Sequence, residues 1–209
     1  MRATVALARD YGVAIGAHPS LHDREGFGRR ELPVSDREVE NIVAYQVGAL
    51  AGIASAEGVR VGHVKPHGAL YNMAARNRAL ADAIARAIVA IDRSLVLFGL
   101  SGSKLVDAGK DAGLRTASEV FADRGYQNDG TLAHRGAAGA VIDDPQVVAA
   151  RAVSMVRTRA VQAIDGTTVP LDVDTICLHG DTPGAAILAL AVRRALEEAA
   201  IDVRSIGGP

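Results

Sequence analysis

The sequence predicts an α/β fold with a parallel sheet. Short runs of apolar and β-branched residues alternate with longer segments of helical composition and spacing, which is the βαβ order of a parallel sheet. The predicted strands are residues 13–17, 59–65, 95–100, 114–121 and 173–179. The predicted helices are residues 35–57, 77–91, 103–112, 144–158 and 182–199.

Capping signals mark three of the predicted helix starts. Ser35 and Glu38 have the spacing of a capping box, in which each side chain binds the backbone N–H of the other residue. Asp144 and Thr182 each precede a proline, which places an N-cap residue before Pro at the first helical position. These signals predict where the first, fourth and fifth of the predicted helices begin.

The chain of 209 residues predicts a single domain, residues 1–209, because a domain averages roughly 150 residues and no linker, repeat or charge block divides the sequence. Residues 125–139 form a long polar loop that contains several glycines. Residues 161–171 predict a small hairpin, in which Asp165 and Gly166 supply the turn chemistry.

Composition and charge exclude several classes of protein. The net charge is -1, with 23 basic and 24 acidic residues, and the arginines are dispersed, so we expect no nucleic-acid partner. The longest apolar run, residues 185–192, is far shorter than the ~18 residues of a membrane span, and Asp10 interrupts any signal-peptide core. The single cysteine, Cys177, excludes an intrachain disulfide and favours a reducing cytoplasm. We interpret it as a small buried residue rather than a nucleophile.

Polar residues gather directly after four of the predicted strands, and ligands of parallel α/β folds bind at the carboxyl ends of the strands. Side-chain alternation puts His18 on the face of Gly16, and His179 on the face of Cys177, so both histidines should point inward at the same end. The candidate site residues are His18, Asp23, Arg24, Arg29, Lys65, His67, Tyr71, Asn72, Glu119, Asp123, Arg124, Tyr126, His179 and Asp181.

Each histidine also has a structural interpretation. A histidine at a strand end is commonly a hydrogen-bonded structural residue, and we prefer that interpretation for His63 and His134. His18, His67 and His179 stand at three separate strand ends beside Gly, Pro or charged residues, which favours a functional role for them as a group.

The charged residues likewise have two interpretations. Lys65 could bind an anion or a carbonyl group at its strand end, or it could be a surface lysine. Arg24, Arg29 and Arg30 could clamp a carboxylate or phosphate, or they could belong to a solvated loop. Asp123 and Arg124 could simply pair with each other.

Four collinear segments together resemble the LamB/YcsF family. They are residues 16–30, 63–72, 119–130 and 177–181, and the resemblance extends over essentially the whole chain. The resemblance implies a seven-stranded (β/α) barrel of the glycoside hydrolase and deacetylase type. It also implies the activity of the 5-oxoprolinase A subunit, which opens 5-oxo-L-proline to L-glutamate in an ATP-dependent reaction together with B and C subunits.

The resemblance implies ATP, with Mg²⁺, as the reagent that activates the lactam carbonyl before water attacks it. Catalytic roles then fall to Lys65, His67, Asp123, Arg124, His179 and Asp181. Binding of the lactam or the nucleotide falls to His18, Asp23, Arg24, Arg29, Tyr71, Asn72, Glu119 and Tyr126. The three histidines His18, His67 and His179 are either general acids and bases or ligands of a divalent metal ion.

Two N-terminal segments of the family pattern do not occur in this sequence: an acidic strand and a strand ending in His-Ala-Gly-Asp. Residues 1–10 predict the tail of a helix with no N-cap, so we expect Met1 not to be the natural start and the barrel to be incomplete. Open sheet edges and uncovered apolar faces then predict association, such as a homo-oligomer. Two other functions stay open: a stand-alone metal-dependent amide hydrolase or deacetylase, and a non-catalytic remnant that binds partners.

Overall fold

The computed structural model describes residues 1–181 and 183–206 of the chain. Its elements follow the predicted βαβ order. The helices are α1 (Arg2–Asp10), α2 (Asp36–Ala56), α3 (Gly68–Arg76), α4 (Arg78–Ile91), α5 (Lys104–Asp111), α6 (Pro145–Thr158) and α7 (Ala185–Glu198). The strands are β1 (Ile15–Ala17), β2 (Val61–Val64), β3 (Val96–Leu100), β4 (Arg115–Phe121), β5 (Ala160–Gln162), β6 (Thr168–Pro170) and β7 (Thr175–Cys177).

The main sheet has the strand order β1-β2-β3-β4-β7. Strand β2 pairs in parallel with β1 and β3, and β4 pairs in parallel with β7. Each strand lies beside the next strand of this sheet along the chain, so the order never reverses as it does in doubly wound folds. This winding is that of a (β/α) barrel, and the predicted α/β class with an incomplete parallel barrel is confirmed.

A separate antiparallel hairpin joins β5 and β6, with Val161 opposite Val169. Gly166 adopts a φ of 86°, which a non-glycine residue rarely reaches, and Asp165 Oδ1 accepts a hydrogen bond from the N–H of Thr167 at 2.9 Å. The predicted hairpin and its turn residues are confirmed.

The predicted helix starts are confirmed for two of the three helices. The Ser35 N–H donates to Glu38 Oε2 at 2.8 Å and the Glu38 N–H donates to Ser35 Oγ at 3.3 Å, which is the capping box. Asp144 caps α6 with Pro at its first turn. Helix α7 begins later than predicted, with Gly184 as its N-cap, and the predicted cap residue Thr182 lies outside the described residues.

Helix α3 is the element that the sequence analysis does not predict. It has nine residues, its N-cap is His67, and no side chain caps it. Only Asn77 separates it from α4, and the side chain of Asn77 accepts hydrogen bonds from the N–H groups of Ala79 and Leu80. Asn77 is therefore the N-cap of α4, and it gives no sign of the short helix α3 before it.

The chain divides into two compact units, and the first comprises residues 1–99, 103–117 and, at the C-terminus, the described residues 205–206. Helices α2 and α4 pack against each other in this unit. Val39, Val43 and Val47 recur at every fourth position of α2 and are completely buried. Helix α2 also packs against strands β1 and β2.

The second unit comprises the described residues among 100–102 and 118–204. Helices α6 and α7 pack against each other through buried side chains, among them Val148, Met155, Leu188 and Val192. The single-domain prediction stays a prediction. Among the helices of residues 1–181 and 183–206, none combines the length and hydropathy that a membrane span requires.

Candidate functional site

The candidate site residues fall into two groups, one in each compact unit. The first unit contains those that follow β1 and β2, and the second unit contains Glu119 on β4 and those that follow β4 and β7. The first group is His18, Asp23, Arg24, Arg29, Lys65, His67, Tyr71 and Asn72. The second group is Glu119, Asp123, Arg124, Tyr126, His179 and Asp181.

His18 and His67 form a pair beyond the ends of β1 and β2. The backbone pairing of these strands continues past their ends, because the His67 N–H donates to the carbonyl oxygen of Pro19 at 2.8 Å. The two imidazole rings meet edge to face, with centroids 4.7 Å apart and planes at 75°. Two of the three predicted functional histidines are therefore in direct contact.

The hydrogen bonds of this pair fix which ring nitrogens carry protons. His18 Nδ1 donates to the carbonyl oxygen of Lys65 at 2.6 Å, and His67 Nε2 donates to the carbonyl oxygen of Phe27 at 2.6 Å, since a carbonyl oxygen only accepts. The remaining nitrogens, His18 Nε2 and His67 Nδ1, face each other at 2.9 Å.

The two rings therefore lie within hydrogen-bond distance of each other, and each also contacts a backbone carbonyl oxygen. A metal ion would need further ligands. Within residues 1–181 and 183–206, no group of three or more His, Cys, Asp or Glu side chains is placed to hold one. The described residues thus do not complete a metal site, and the role of His18, His67 and His179 as metal ligands stays a prediction.

An arginine and an aromatic ring extend the histidine pair. The Phe27 ring meets the His67 ring at a right angle, with centroids 5.4 Å apart. The guanidinium carbon of Arg29 lies 5.1 Å from the centre of the Phe27 ring, within the range of a cation–π contact. Lys65 Nζ lies 5.9 Å from the centre of the Tyr71 ring. Two cationic side chains of this group are thereby held on aromatic rings.

Other members of the first group are placed differently. The side chains of Arg24 and Asn72 are exposed. Asp23 is buried, with 4% of its surface exposed, and it accepts hydrogen bonds from the N–H groups of Gly26 at 3.0 Å and Arg30 at 3.1 Å. The Arg30 guanidinium also donates to Asp23, through Nε at 2.8 Å and through Nη2. Asp23 therefore holds the loop that carries Phe27 and Arg29.

These bonds to Arg30, its side-chain hydrogen bond above all, lower the pKa of Asp23 to about 2 against the opposing effect of desolvation. The charged carboxylate is thus favoured in the folded chain. Its contribution to stability is present above the ordinary pKa of 3.8 and is lost as the pH falls through about 2.

We expect Asp23→Asn to remove this part of the acid sensitivity. Between about pH 4 and pH 2, the free energy of unfolding should fall more steeply for the wild type than for the variant. Urea unfolding followed by circular dichroism at several pH values in this range measures both slopes. Asp143→Asn changes an exposed carboxylate and serves as the control. Parallel slopes for the wild type and Asp23→Asn would contradict the assignment.

In the second unit, Asp123 and His179 form a hydrogen-bonded pair. The register of β4 and β7 places Phe121 opposite Cys177, so the residues two positions further along each chain segment also lie side by side. His179 Nδ1 donates to Asp123 Oδ2 at 2.6 Å. The Phe121 ring stacks on the His179 ring, with centroids 5.9 Å apart. In the neutral ring this leaves the lone pair on Nε2, which is the arrangement of a general base oriented by a carboxylate.

The other carboxylate oxygen of Asp123 is an unsatisfied acceptor. Asp123 is 4% exposed, and its Oδ1 is buried without a hydrogen-bond partner among the described residues. A buried acceptor without a donor costs free energy, and such atoms in folded proteins call for a bound donor such as water or a ligand. The described side-chain bond of Asp123 goes to His179, and its pairing with Arg124 stays a prediction.

Two side chains hold the backbone around Asp123. Tyr126 is completely buried, and its hydroxyl accepts a hydrogen bond from the Phe121 N–H at 2.8 Å. Burial raises the pKa of the Tyr126 hydroxyl, so it stays protonated. Arg151 of α6 donates to the carbonyl oxygens of Ala122 at 3.0 Å and Arg124 at 2.8 Å. The turn that carries Asp123 is therefore fixed from both sides.

Arg124 connects the same turn to residues 125–141, the segment that contains the long polar loop. It is 5% exposed, its Nε donates to the carbonyl oxygen of Ala140 at 2.9 Å, and its Nη2 donates to that of Ala133 at 2.6 Å. These described contacts are structural, whereas its predicted catalytic role stays a prediction. Gly125 and Ala140 come close enough for a backbone hydrogen bond of 3.0 Å, which closes the loop.

The remaining residues of the second group differ in burial. Glu119 lies on β4 and is 2% exposed, which is unusual for a carboxylate. Asp181 follows β7 and is exposed. Cys177 is buried within β7, as its interpretation as a small buried residue predicts.

Sequence reasoning did not find Arg151 or the partner of Asp123. Arg151 lies in the middle of α6, where an arginine is indistinguishable from a surface residue. The pairing of Asp123 with His179 had a usable signal, since each residue lies two positions beyond a member of the pair Phe121 and Cys177. The signal becomes usable only when the register of β4 against β7 is known, and the structure supplies that register.

Comparison with known proteins assigns the family. The LamB/YcsF family model matches residues 1–208. This chain belongs to the LamB/YcsF family. It is 54% identical over 206 residues to the 5-oxoprolinase A subunit of Tolumonas auensis, covering 99% of this chain and 82% of that protein. It is 55% identical over 205 residues to the 5-oxoprolinase A subunit of Chloroflexus aggregans, covering 98% and 81%.

A solved structure agrees with this assignment. The lactam utilization protein from Thermus thermophilus matches with a TM-score of 0.90 and 46% sequence identity, over 98% of this chain and 82% of that chain. The resemblance drawn from the four sequence segments to the LamB/YcsF family is therefore confirmed.

Proposed function

We propose that this chain is the A subunit of a 5-oxoprolinase. In this proposal it works with B and C subunits and opens 5-oxo-L-proline to L-glutamate at the expense of ATP. Relatives more than half identical to it bear the name of the 5-oxoprolinase A subunit, and a protein named as a subunit has partner subunits. The observation that carries the proposal is the hydrogen-bonded pair of buried Asp123 and partly buried His179, because a five-membered lactam is a stable amide whose hydrolysis needs an oriented base.

The proposed chemistry divides the reaction into three steps. Transfer of the terminal phosphoryl group of ATP, with Mg²⁺, to the lactam oxygen releases ADP and makes the carbonyl carbon electrophilic. Water then adds to that carbon, and the C–N bond breaks as the nitrogen takes up a proton, which leaves an acyl phosphate. A second water releases phosphate and yields glutamate.

His179 is the proposed base for the attacking water. Its Nδ1 proton is held by Asp123, so Nε2 can take a proton from water and later return it to the departing nitrogen. The carboxylate of Asp123 stabilises the imidazolium that forms meanwhile. The unsatisfied Oδ1 of Asp123 offers an acceptor for a second donor, such as that water or the lactam N–H.

The first unit supplies the proposed cationic groups. Arg29 and Lys65 are cationic side chains of this unit, and they suit anionic groups such as a carboxylate or a phosphoryl group. The His18–His67 pair is a proposed general acid or base at its own strand ends. No step is assigned to a protein-bound metal ion. The proposed place of action is the cytoplasm, where ATP is abundant and Cys177 stays reduced.

A reconstitution experiment tests the proposal. We expect the purified chain alone to leave labelled 5-oxo-L-proline intact, and the chain with the B and C subunits of its own organism to release glutamate only when ATP and Mg²⁺ are present. Reactions without this chain, or without ATP, are the controls.

Two outcomes would contradict the proposal. ATP-independent opening of amides by the chain alone would show a stand-alone hydrolase. If the mixture were inactive with this chain but active with the Chloroflexus aggregans relative in its place, the chain would be a non-catalytic member of the family.

A further inference from the structure

His63 lies in the first unit, on the face of β2 that also carries Lys65, because side chains two positions apart on a strand share a face. Its neighbour in the sheet is Gly16 of β1. A Cβ atom at Gly16 would lie 2.0 Å from His63 Nε2 and 2.4 Å from Cδ2. The imidazole ring therefore covers the backbone of Gly16 and occupies the space where any other residue would place its side chain.

The second side of the imidazole ring is also fixed. The Phe98 ring of β3 stacks on it, with centroids 4.5 Å apart and planes at 21°. Phe98 is itself buried in a cluster with Val96 and Ala117. His63 is thus held between the backbone of one strand and an aromatic ring of another, and it has little freedom to turn.

The ring nitrogens of His63 nevertheless form no hydrogen bond with the described part of the chain, although the residue is partly buried. Burial, followed by the charge of Lys65, lowers the pKa of His63, so at neutral pH the ring is uncharged. A neutral imidazole has one N–H donor and one acceptor nitrogen. The His63 ring nitrogens are not among the described buried side-chain atoms that lack a partner, so they stay accessible to solvent and to a bound ligand.

We propose that His63 is a substrate-contact residue, which hydrogen-bonds the amide group of a cyclic amide beside Lys65. The inference rests on the proposed function. An uncharged donor and acceptor suits an amide, which is also uncharged and also carries one donor and one acceptor. The charged Lys65 on the same face then suits the carboxylate of the same substrate. His63 thereby distinguishes a lactam from a cyclic amine of equal size.

The test uses the complex reconstituted with B and C subunits and compares two ligands. In His63→Leu, the KM for 5-oxo-L-proline should rise about tenfold, the effect of losing one hydrogen bond to a buried polar group. L-Proline lacks the lactam oxygen, so its inhibition constant should be unchanged. His63→Gln keeps a donor and an acceptor, so its KM for 5-oxo-L-proline should lie between those of the wild type and His63→Leu.

A second variant moves the ring without changing it. Gly16→Ala places a methyl group in the space of the His63 ring and should raise the KM by a similar factor. The KM of the double variant Gly16→Ala, His63→Leu should be no higher than that of either single variant, because both substitutions act through one contact. Gly48→Ala, on α2 with no atom near its added methyl group, is the matched control.

The outcomes separate this inference from the proposed function. No turnover by the wild-type complex would overturn both. Normal wild-type turnover, with a KM in His63→Leu within twofold of the wild-type value, would overturn the contact alone. Equal losses of affinity for 5-oxo-L-proline and L-proline would also overturn it, since they would show a general disturbance of the site.

Discussion

Asp123→Asn is expected to lower the kcat of the reconstituted complex by about 10²–10⁴-fold, the usual contribution of general acid–base catalysis. His179 Nδ1 donates to Asp123 Oδ2. An asparagine at position 123 either turns its NH2 group, a donor, toward Nδ1 or presents an uncharged oxygen, which does not stabilise an imidazolium. The ring then loses the tautomer that leaves Nε2 free to accept a proton. The measurement is steady-state glutamate release with ATP at saturation.

Three further variants give this prediction its controls. His179→Gln should lower kcat about as much as Asp123→Asn does. The double variant should lower kcat no further, because the two side chains act as one unit. His134→Gln alters an exposed histidine and should leave kcat unchanged. Thermal unfolding should show that Asp123→Asn folds normally. A folded Asp123→Asn variant with a kcat within about threefold of the wild type would exclude His179 as the oriented base.

Gly68→Ala is expected to lower the free energy of unfolding by about 3 kcal/mol, from left-handed backbone strain together with a backbone clash. Gly68 has a φ of 54°, and a Cβ atom there would lie 2.4 Å from the carbonyl oxygen of Gly28. That oxygen accepts a hydrogen bond from the Ala69 N–H at 2.8 Å, so it cannot move away without breaking the bond. His67, directly before Gly68, should be displaced as well.

Urea unfolding at neutral pH measures this loss. Gly52→Ala is the matched control, because Gly52 lies within α2 and its added methyl group meets no atom within 4 Å. Replacing a helical glycine by alanine there should stabilise the chain by about 0.5–1 kcal/mol. Equal stability of Gly68→Ala and the wild type would show that the loop of Gly28 adapts freely.

The fold was largely predictable because its signals are local. Apolar β-branched runs mark the strands, and the capping box at Ser35 places the start of α2 to the residue. Helix α3 was missed because nine residues after an uncapped His67 carry too little periodicity to be recognised. The start of α7 was placed too early because Pro183 and the preceding residue look like a helix start, whereas Gly184 is the cap.

The candidate site was predictable in its members and not in its contacts. Polar residues after parallel strands are recognisable from the sequence, which is why His18, His67, Asp123 and His179 all belong to the predicted set. Their pairings depend on strand register and on how loops return to the strand ends, and neither is a local property. The interior position of His63 was missed for the same reason, since only the neighbouring strand shows that Gly16 leaves room for its ring.

The network around the long polar loop bears on how this protein can be altered by recombination. Arg124 binds carbonyl oxygens on the loop, and Arg151, one helix later, binds the carbonyl oxygen of Arg124 itself. A chimera that exchanged only residues 125–141 with a relative would leave Arg124 facing carbonyl groups of foreign geometry, and Arg151 must accompany Arg124 because it binds the Arg124 carbonyl oxygen. The smallest exchangeable module is therefore the end of β4, the loop and α6 up to Arg151, transferred as one block.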